Sequence, residues 1–161
     1  MRALRSVTWL LFSFLIGAGL PAQVGSEDPA SASSEYEELL QGANRKLLRG
    51  EVLAAETTFE ELFEILVEDG VDEDNRYRIG VEVGLNEIAF RRGNYEKARD
   101  GLLALPAKAR DVREVVLLQA RVLRRLGGYG KAISLLKQLV ARDEGDCHAR
   151  HQLGALLHDS G

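Results

Sequence analysis

The residues Arg91-Arg92-Gly93-Asn94-Tyr95-Glu96-Lys97-Ala98 recur as Arg125-Leu126-Gly127-Gly128-Tyr129-Gly130-Lys131-Ala132, and both stretches read Gly-x-Tyr-x-x-Ala. Their glycines stand 34 residues apart, and the same step again reaches Gly161. Upstream, Gly50 opens the same kind of turn, with Ala55 in the alanine position. A fixed period of this length marks stacked helical hairpins, because one hairpin cannot bury its apolar face without a neighbour. The period predicts an all-α helical-hairpin solenoid with units over about residues 35–75, 76–110 and 111–145, followed by a half-unit over 146–161.

Apolar spacing fills in the helices on either side of these turns. Leu39, Ala43 and Leu47 fall at steps of four and share a face, in a helix expected from about Glu35 with the preceding serines as N-caps. Gly50 ends it. A helix over about 51–67 sets Ala55, Phe59, Leu62 and Phe63 on one stripe and Glu56, Glu60, Glu61 and Glu64 elsewhere. Gly50 and Gly93 are 43 residues apart, so this unit carries a surplus, placed around 68–75. There Gly70 can supply a left-handed terminus and Asp72 or Asp74 the next N-cap. Val81, Leu85, Ala89 and Phe90 carry a helix to Gly93, and Ala98, Leu102 and Leu105 face inward on its partner until Pro106 stops it. In the third unit Val116, Ala120 and Leu123 face Ala132, Leu136 and Leu139. The last stretch repeats a first helix through Leu153, Gly154 and Leu157. Leu153, Leu156 and Leu157 then lack a covering helix, so either 146–160 is itself the terminal cap or, the favoured expectation, the repeat array extends beyond Gly161.

The first residues follow a different pattern. Arg2 and Arg5 precede fourteen residues, 7–20, that are apolar apart from Thr8 and Ser13, and Gly-Leu-Pro-Ala over 19–22 offers small residues before a polar stretch. A basic start, an apolar run and a small-residue exit describe a secretory signal peptide ending at Ala22. The rival, an uncleaved anchor, needs about 20 apolar residues to cross a bilayer. The small, polar residues 23–34 read as a disordered linker. The mature chain is therefore expected to be exported, to the periplasm or the exterior, and to meet the membrane only transiently through its signal.

Composition narrows the function classes. Of 161 residues, 45% are hydrophobic and 29% charged, close to a single globular domain. Loss of Arg2 and Arg5 would deepen the net charge of −4, and an acidic chain without a basic face is a poor partner for nucleic acid. Cys147 is the single cysteine, so no internal disulfide can form and helix packing must carry the fold. It stands near a helix start, where a buried or half-buried role is expected. His148, His151 and His158 lie close to it, but seven residues of helix span about 10.5 Å, too far for one zinc shell. A two-ligand site at His148 and His151 is the most these histidines could form. The acidic run over 51–74 lacks the loop pattern of a calcium site and reads as a solvated face. No motif for hydrolysis, phosphate cradling or nucleophilic catalysis occurs, so no enzyme, metal or cofactor is expected.

The repeated turns resemble the tetratricopeptide repeat family. Gly93, Tyr95, Ala98, Leu102 and Pro106 carry the likeness in the second unit, and Gly127, Tyr129, Ala132 and Leu136 in the third. Gly50, Ala55 and Phe59 do so in the first, with Val52 in the tyrosine position, and Leu153, Gly154, Leu157 and Gly161 in the half-unit. Tryptophan is missing from every first helix and one unit alone closes on proline. The resemblance implies a right-handed superhelix whose first helices line a concave groove that holds a protein or peptide partner. Its inner positions would be Glu37, Leu40, Asn44 and Leu47, then Val83, Glu87 and Phe90, then Leu117, Arg121 and Arg124, then His148, His151 and His158. Asn44, Glu87, Phe90, Leu117, Arg121, Arg124, His148 and His151 are the groove residues proposed to touch the partner. An apolar and acidic entrance leading to an Arg and His end suits a peptide with an acidic segment. The family's carboxylate clamp is not expected, since its lysine positions hold Leu40, Glu114 and Leu117. The other functional reading is a non-catalytic front segment of a larger exported enzyme.

Overall fold

Four glycines set the architecture. Gly50, Gly70, Gly93 and Gly127 adopt φ of 82°, 66°, 81° and 76°, a left-handed geometry that costs glycine no side-chain clash. Each glycine N–H reaches back three residues, to the carbonyls of Leu47, Val67, Phe90 and Arg124. The next residue in each case reaches back five, as Glu51 does to Lys46, Val71 to Leu66, Asn94 to Ala89 and Gly128 to Leu123, at 2.8–3.0 Å. This is the same helix-ending motif used four times, and it satisfies carbonyls that the helix leaves open.

The computed structural model describes residues 29–161, and all regular structure within them is helical. The helices are α1 (Pro29–Leu48), α2 (Val52–Glu68), α3 (Arg76–Arg91), α4 (Tyr95–Ala104), the short α5 (Ala107–Arg110), α6 (Arg113–Arg125), α7 (Tyr129–Arg142) and α8 (Cys147–Asp159). They pair as α1 with α2, α3 with α4 and α6 with α7. The second helix of each pair also packs on the first helix of the next, α2 on α3, α4 on α6 and α7 on α8. First helices touch one another directly as well, α1 on α3 and α3 on α6. The result is a stack of helical pairs.

Close approach within each pair depends on small residues. Ala55, Ala98 and Ala132, the alanines of the three turns, are fully buried. Around them the apolar residues form three clusters rather than one. Phe59, Leu62, Leu66 and Val81 centre the first, Leu102, Leu105, Val115 and Val122 the second, and Ala120, Leu136 and Leu156 the third. Each buried Leu or Phe contributes about 1.5–3 kcal/mol of transfer free energy.

Several local expectations need correction. α1 begins at Pro29, six residues ahead of Glu35, so residues 29–34 are helix and Ser33 and Ser34 are not its caps. Tertiary contact explains this: Ala32 packs against the first cluster and the Tyr77 hydroxyl donates to the Ser33 carbonyl at 2.9 Å. Asn75, not Asp72 or Asp74, caps α3, its side chain accepting from the Tyr77 N–H at 2.9 Å. The Asn75 N–H bonds the Asp72 carbonyl, so the acidic stretch closes a turn and delivers Asn75 to the cap. Pro106 is followed by α5, which buries Ala109 in the second cluster. Leu156 needs no further helix, being buried against α6 and α7, whereas Leu157 is exposed. Cys147 is exposed rather than buried. The expected signal peptide over 1–22 and residues 23–28 of the expected linker lie outside the described residues. No helix among the described residues is long and apolar enough to cross a membrane.

Candidate functional site

Because α1, α3 and α6 lie side by side, the residues on their shared face form one surface, and the start of α8 extends it. A groove of about 680 Å³ runs across it. Its floor is apolar, from Leu47 on α1, Ile79 and Val83 on α3, and Val115, Leu117 and Leu118 on α6. Leu48 and Val112, 81% and 42% exposed, stand at its rim. The polar rim comprises Asn44, Arg76, Glu87, Arg91, Arg113, Glu114, Arg121, His148 and Gln152.

Five of the eight proposed contact residues therefore meet in this groove: Asn44, Glu87, Leu117, Arg121 and His148. Phe90 and Arg124 line an adjoining cleft of about 450 Å³ with Arg121, Arg125, Tyr129 and Asp159. His151 lines a third, smaller hollow between α6 and α8, again with Arg121 and Arg124. Arg121 stands where all three meet. Of the other inner positions, Leu47 and Val83 reach the groove floor. Leu40 instead packs on the first cluster, pressed against Gly80, where no Cβ could stand without meeting its Cδ2 at 2.9 Å. Glu37 pairs with Arg76 at 3.2 Å, and His158 is exposed at the end of α8.

The arginines are not an open basic end awaiting an acidic segment, as the sequence suggested. Arg121 donates to Glu87 at 2.8 and 3.3 Å and lies 4.4 Å from the Phe90 ring centroid, a cation–π distance. Glu87 also accepts from Arg91 at 2.8 Å, and Arg91 reaches the Leu47 carbonyl at 2.7 Å. Arg124 donates through Nε to Asp159 at 2.6 Å. These links tie α1 to α3, α3 to α6 and α6 to α8.

Arg113 is held most firmly. It donates to both carboxylate oxygens of Asp146, at 2.7 and 3.0 Å, and Asp146 is only 4% exposed. The Arg113 guanidinium, together with the Ala149 and His148 N–H groups that Asp146 caps, lowers the Asp146 pKa to about 2. The same bond raises the pKa of Arg113. Arg76 is likewise raised, first by its hydrogen bond with the Tyr77 hydroxyl. On the opposite side of α3, burial raises the pKa of Glu82, which lines a separate hollow beside Gly101 and Pro106.

The histidines do not converge. His148 is within hydrogen-bonding distance of Gln152, at 2.9 Å, while His151 faces a different hollow. Among the described residues no group of three or more His, Cys, Asp or Glu is placed to hold a metal ion. Cys147 accepts a weak contact from Arg150 at 3.7 Å. The sequence reading missed Leu48, Val112 and Arg113 in the groove and Arg125, Tyr129 and Asp159 in the cleft. A usable signal was the repeat itself: opposite charges about one period apart, such as Glu87 and Arg121 at 34 residues or Arg124 and Asp159 at 35, face each other.

No protein-family model matches the chain, and no curated protein matches it. Among solved structures, it is similar to the C-terminal TPR-containing domain of a Plasmodium falciparum protein described as FK506-binding. The TM-score is 0.60 at 11% identity, over 83% of this chain and 93% of that one. At such identity the likeness concerns fold alone. The chain thus has an all-α fold of stacked helical pairs similar to that of a tetratricopeptide-repeat domain.

Proposed function

We propose that this chain is an exported protein–protein interaction scaffold, a short right-handed superhelix that holds a peptide segment of its partner in the groove across α1, α3 and α6. The observation that carries this reading is the apolar floor of that groove, open to solvent between polar rims. Surface hollows with a contiguous apolar lining are where partners dock, and the first helices of such arrays usually supply them. The fitting segment presents an apolar stripe to Ile79, Val83 and Leu117. Arg76, Arg91, Arg113 and Arg121 on the rim are balanced by Glu37, Glu87, Glu114 and Asp146. An acidic flank therefore suits the end of the groove at Arg124 and Arg125, where Arg125 has no ion-pair partner among the described residues. Export rests on Arg2, Arg5 and the apolar run that follows them.

The test is a random peptide library selected on the protein. Recovered peptides should carry paired apolar residues with acidic neighbours. They should lose about tenfold or more in affinity for a Leu48→Glu/Val112→Glu variant, since one buried apolar contact is worth roughly that factor. Both sites are exposed, so the variant should melt like the parent. Equal binding to both proteins, or no recovered peptide, would overturn the groove. Export is tested separately, by sequencing the N-terminus of the protein recovered after expression with its first 22 residues intact; retention of Met1 would refute it.

A further inference from the structure

The cleft beside the groove gathers three guanidinium groups on one face of α6. Arg121, Arg124 and Arg125 stand at positions i, i+3 and i+4, and the rings of Phe90 and Tyr129 complete the walls. Two acids offset them in unlike ways. Glu87 is fixed, with its side chain 13% exposed and two arginines bonded to it. Asp159 is held through one carboxylate oxygen alone, which takes both Nε and a terminal guanidinium nitrogen of Arg124. It is the last residue of α8, where the helix dipole disfavours a carboxylate, and no backbone N–H bonds it among the described residues. Arg124 engages only its Oδ2, while Oδ1 lies 3.7 Å from the His158 Nδ1. Both members of the pair are substantially exposed, at 43% and 32%.

The contrast with Asp146 is direct. That carboxylate is buried, caps α8 and binds Arg113 through both oxygens, so it belongs to the fold. Asp159 does none of this. Arg125 is exposed and has no hydrogen-bond or ion-pair partner among the described residues. A carboxylate from outside could bind Arg124 through two oxygens, the stronger geometry, and reach Arg125 as well.

We infer that Asp159 is an internal stand-in for a carboxylate of the partner. The cleft takes an acidic side chain of the bound segment, which displaces Asp159 from Arg124 while Phe90 and Tyr129 cover its apolar neighbour. The idea rests on the groove reading only for the source of that carboxylate. Asp159 then sets a threshold: a segment lacking a well-placed acid cannot open the Arg124 pair.

The probe is a tri-aspartate peptide, titrated while the Nε–H signals of Arg121, Arg124 and Arg125 are followed by NMR. Asp159→Asn should saturate at about tenfold lower peptide concentration than wild type, the order expected when a charged competitor is removed. Asp143→Asn, which removes an equal charge elsewhere, should titrate like wild type. Equal saturation of Asp159→Asn and wild type, an equal gain in Asp143→Asn, or no movement of the Arg124 signal would each overturn the inference. The Leu48→Glu/Val112→Glu variant should bind tri-aspartate as wild type does. Failure of the library selection with retention of this titration would sink the apolar groove and leave the cleft standing.

Discussion

Glu87 on α3 and Arg121 on α6 face each other at 2.8 Å, and 34 residues of chain, one repeat period, separate them. The repeat brings equivalent positions of successive first helices together, so an acid in one unit and a base in the next become neighbours. Arg113 with Asp146 and Arg124 with Asp159, 33 and 35 residues apart, follow the same rule. A double-mutant cycle of Glu87→Gln and Arg121→Gln, read by urea unfolding, should give a coupling of about 0.5–1.5 kcal/mol. A coupling near zero would show that the two side chains do not act as a pair in solution.

Gly84 should resist the usual benefit of alanine in a helix. A Cβ there would lie 2.3 Å from the Phe59 Cζ, and Phe59 is fully buried with no room to withdraw. Overpacking costs about 1–3 kcal/mol, against the roughly 0.5–1 kcal/mol that Gly→Ala returns in a helix interior. Gly84→Ala is therefore expected to lower stability by about 1 kcal/mol, with much of it restored in Gly84→Ala/Phe59→Leu. At Gly101 the obstructing group is the Asn86 side chain, which is only half-buried and can swing away. Gly101→Ala should be near neutral, and chemical denaturation of all four proteins compares the outcomes.

The identity of the α3 cap can be settled by substitution. Asn75→Ala removes the acceptor of the Tyr77 N–H and should cost about 1 kcal/mol. Asp72→Ala and Asp74→Ala should each stay within about 0.5 kcal/mol of the parent, as exposed positions without a cap usually do. Equal losses at all three would restore the acidic residues to the capping role.

Acid should loosen α8 through Asp146. Its pKa falls from 3.8 to about 2 on folding, because the Arg113 guanidinium and two backbone N–H groups favour the charged form. A carboxyl whose pKa drops on folding contributes stability that is complete above its unfolded value and disappears as pH falls through the folded one. Asp146→Asn should therefore melt several degrees below wild type at pH 6, with the gap closing between pH 4 and 2. A gap that persists unchanged at pH 2 would mean that the charge is irrelevant to it.

The parts of this fold that were legible in the sequence have local steric causes. A glycine that ends a helix with positive φ, and an alanine where two helices nearly touch, are required by backbone geometry, so Gly93 with Ala98 and Gly127 with Ala132 announce themselves. The inner positions Leu47, Val83 and Leu117 came instead from the resemblance of the repeated turns to the tetratricopeptide pattern, and they line the groove floor. What stayed hidden depends on distant residues. Residues 29–34 read as linker because their helical packing draws on Tyr77, 44 residues beyond Ser33. Leu48 and Val112 flank helix ends, where the 3.6-residue rhythm gives no guidance. The arginines were assigned to the concave face but not to their partners, since a side chain's neighbour across units is visible only once the period is used to align charges.

The division of the interior into three clusters has a bearing on how damage spreads. Phe59 belongs to the first and Leu136 to the third, and no buried residue is common to both. A lesion at one end should leave the other end's amides protected from hydrogen exchange, as in a row of bricks where a cracked one weakens chiefly its neighbours. Such a molecule can tolerate wear on one flank while the opposite flank keeps its shape.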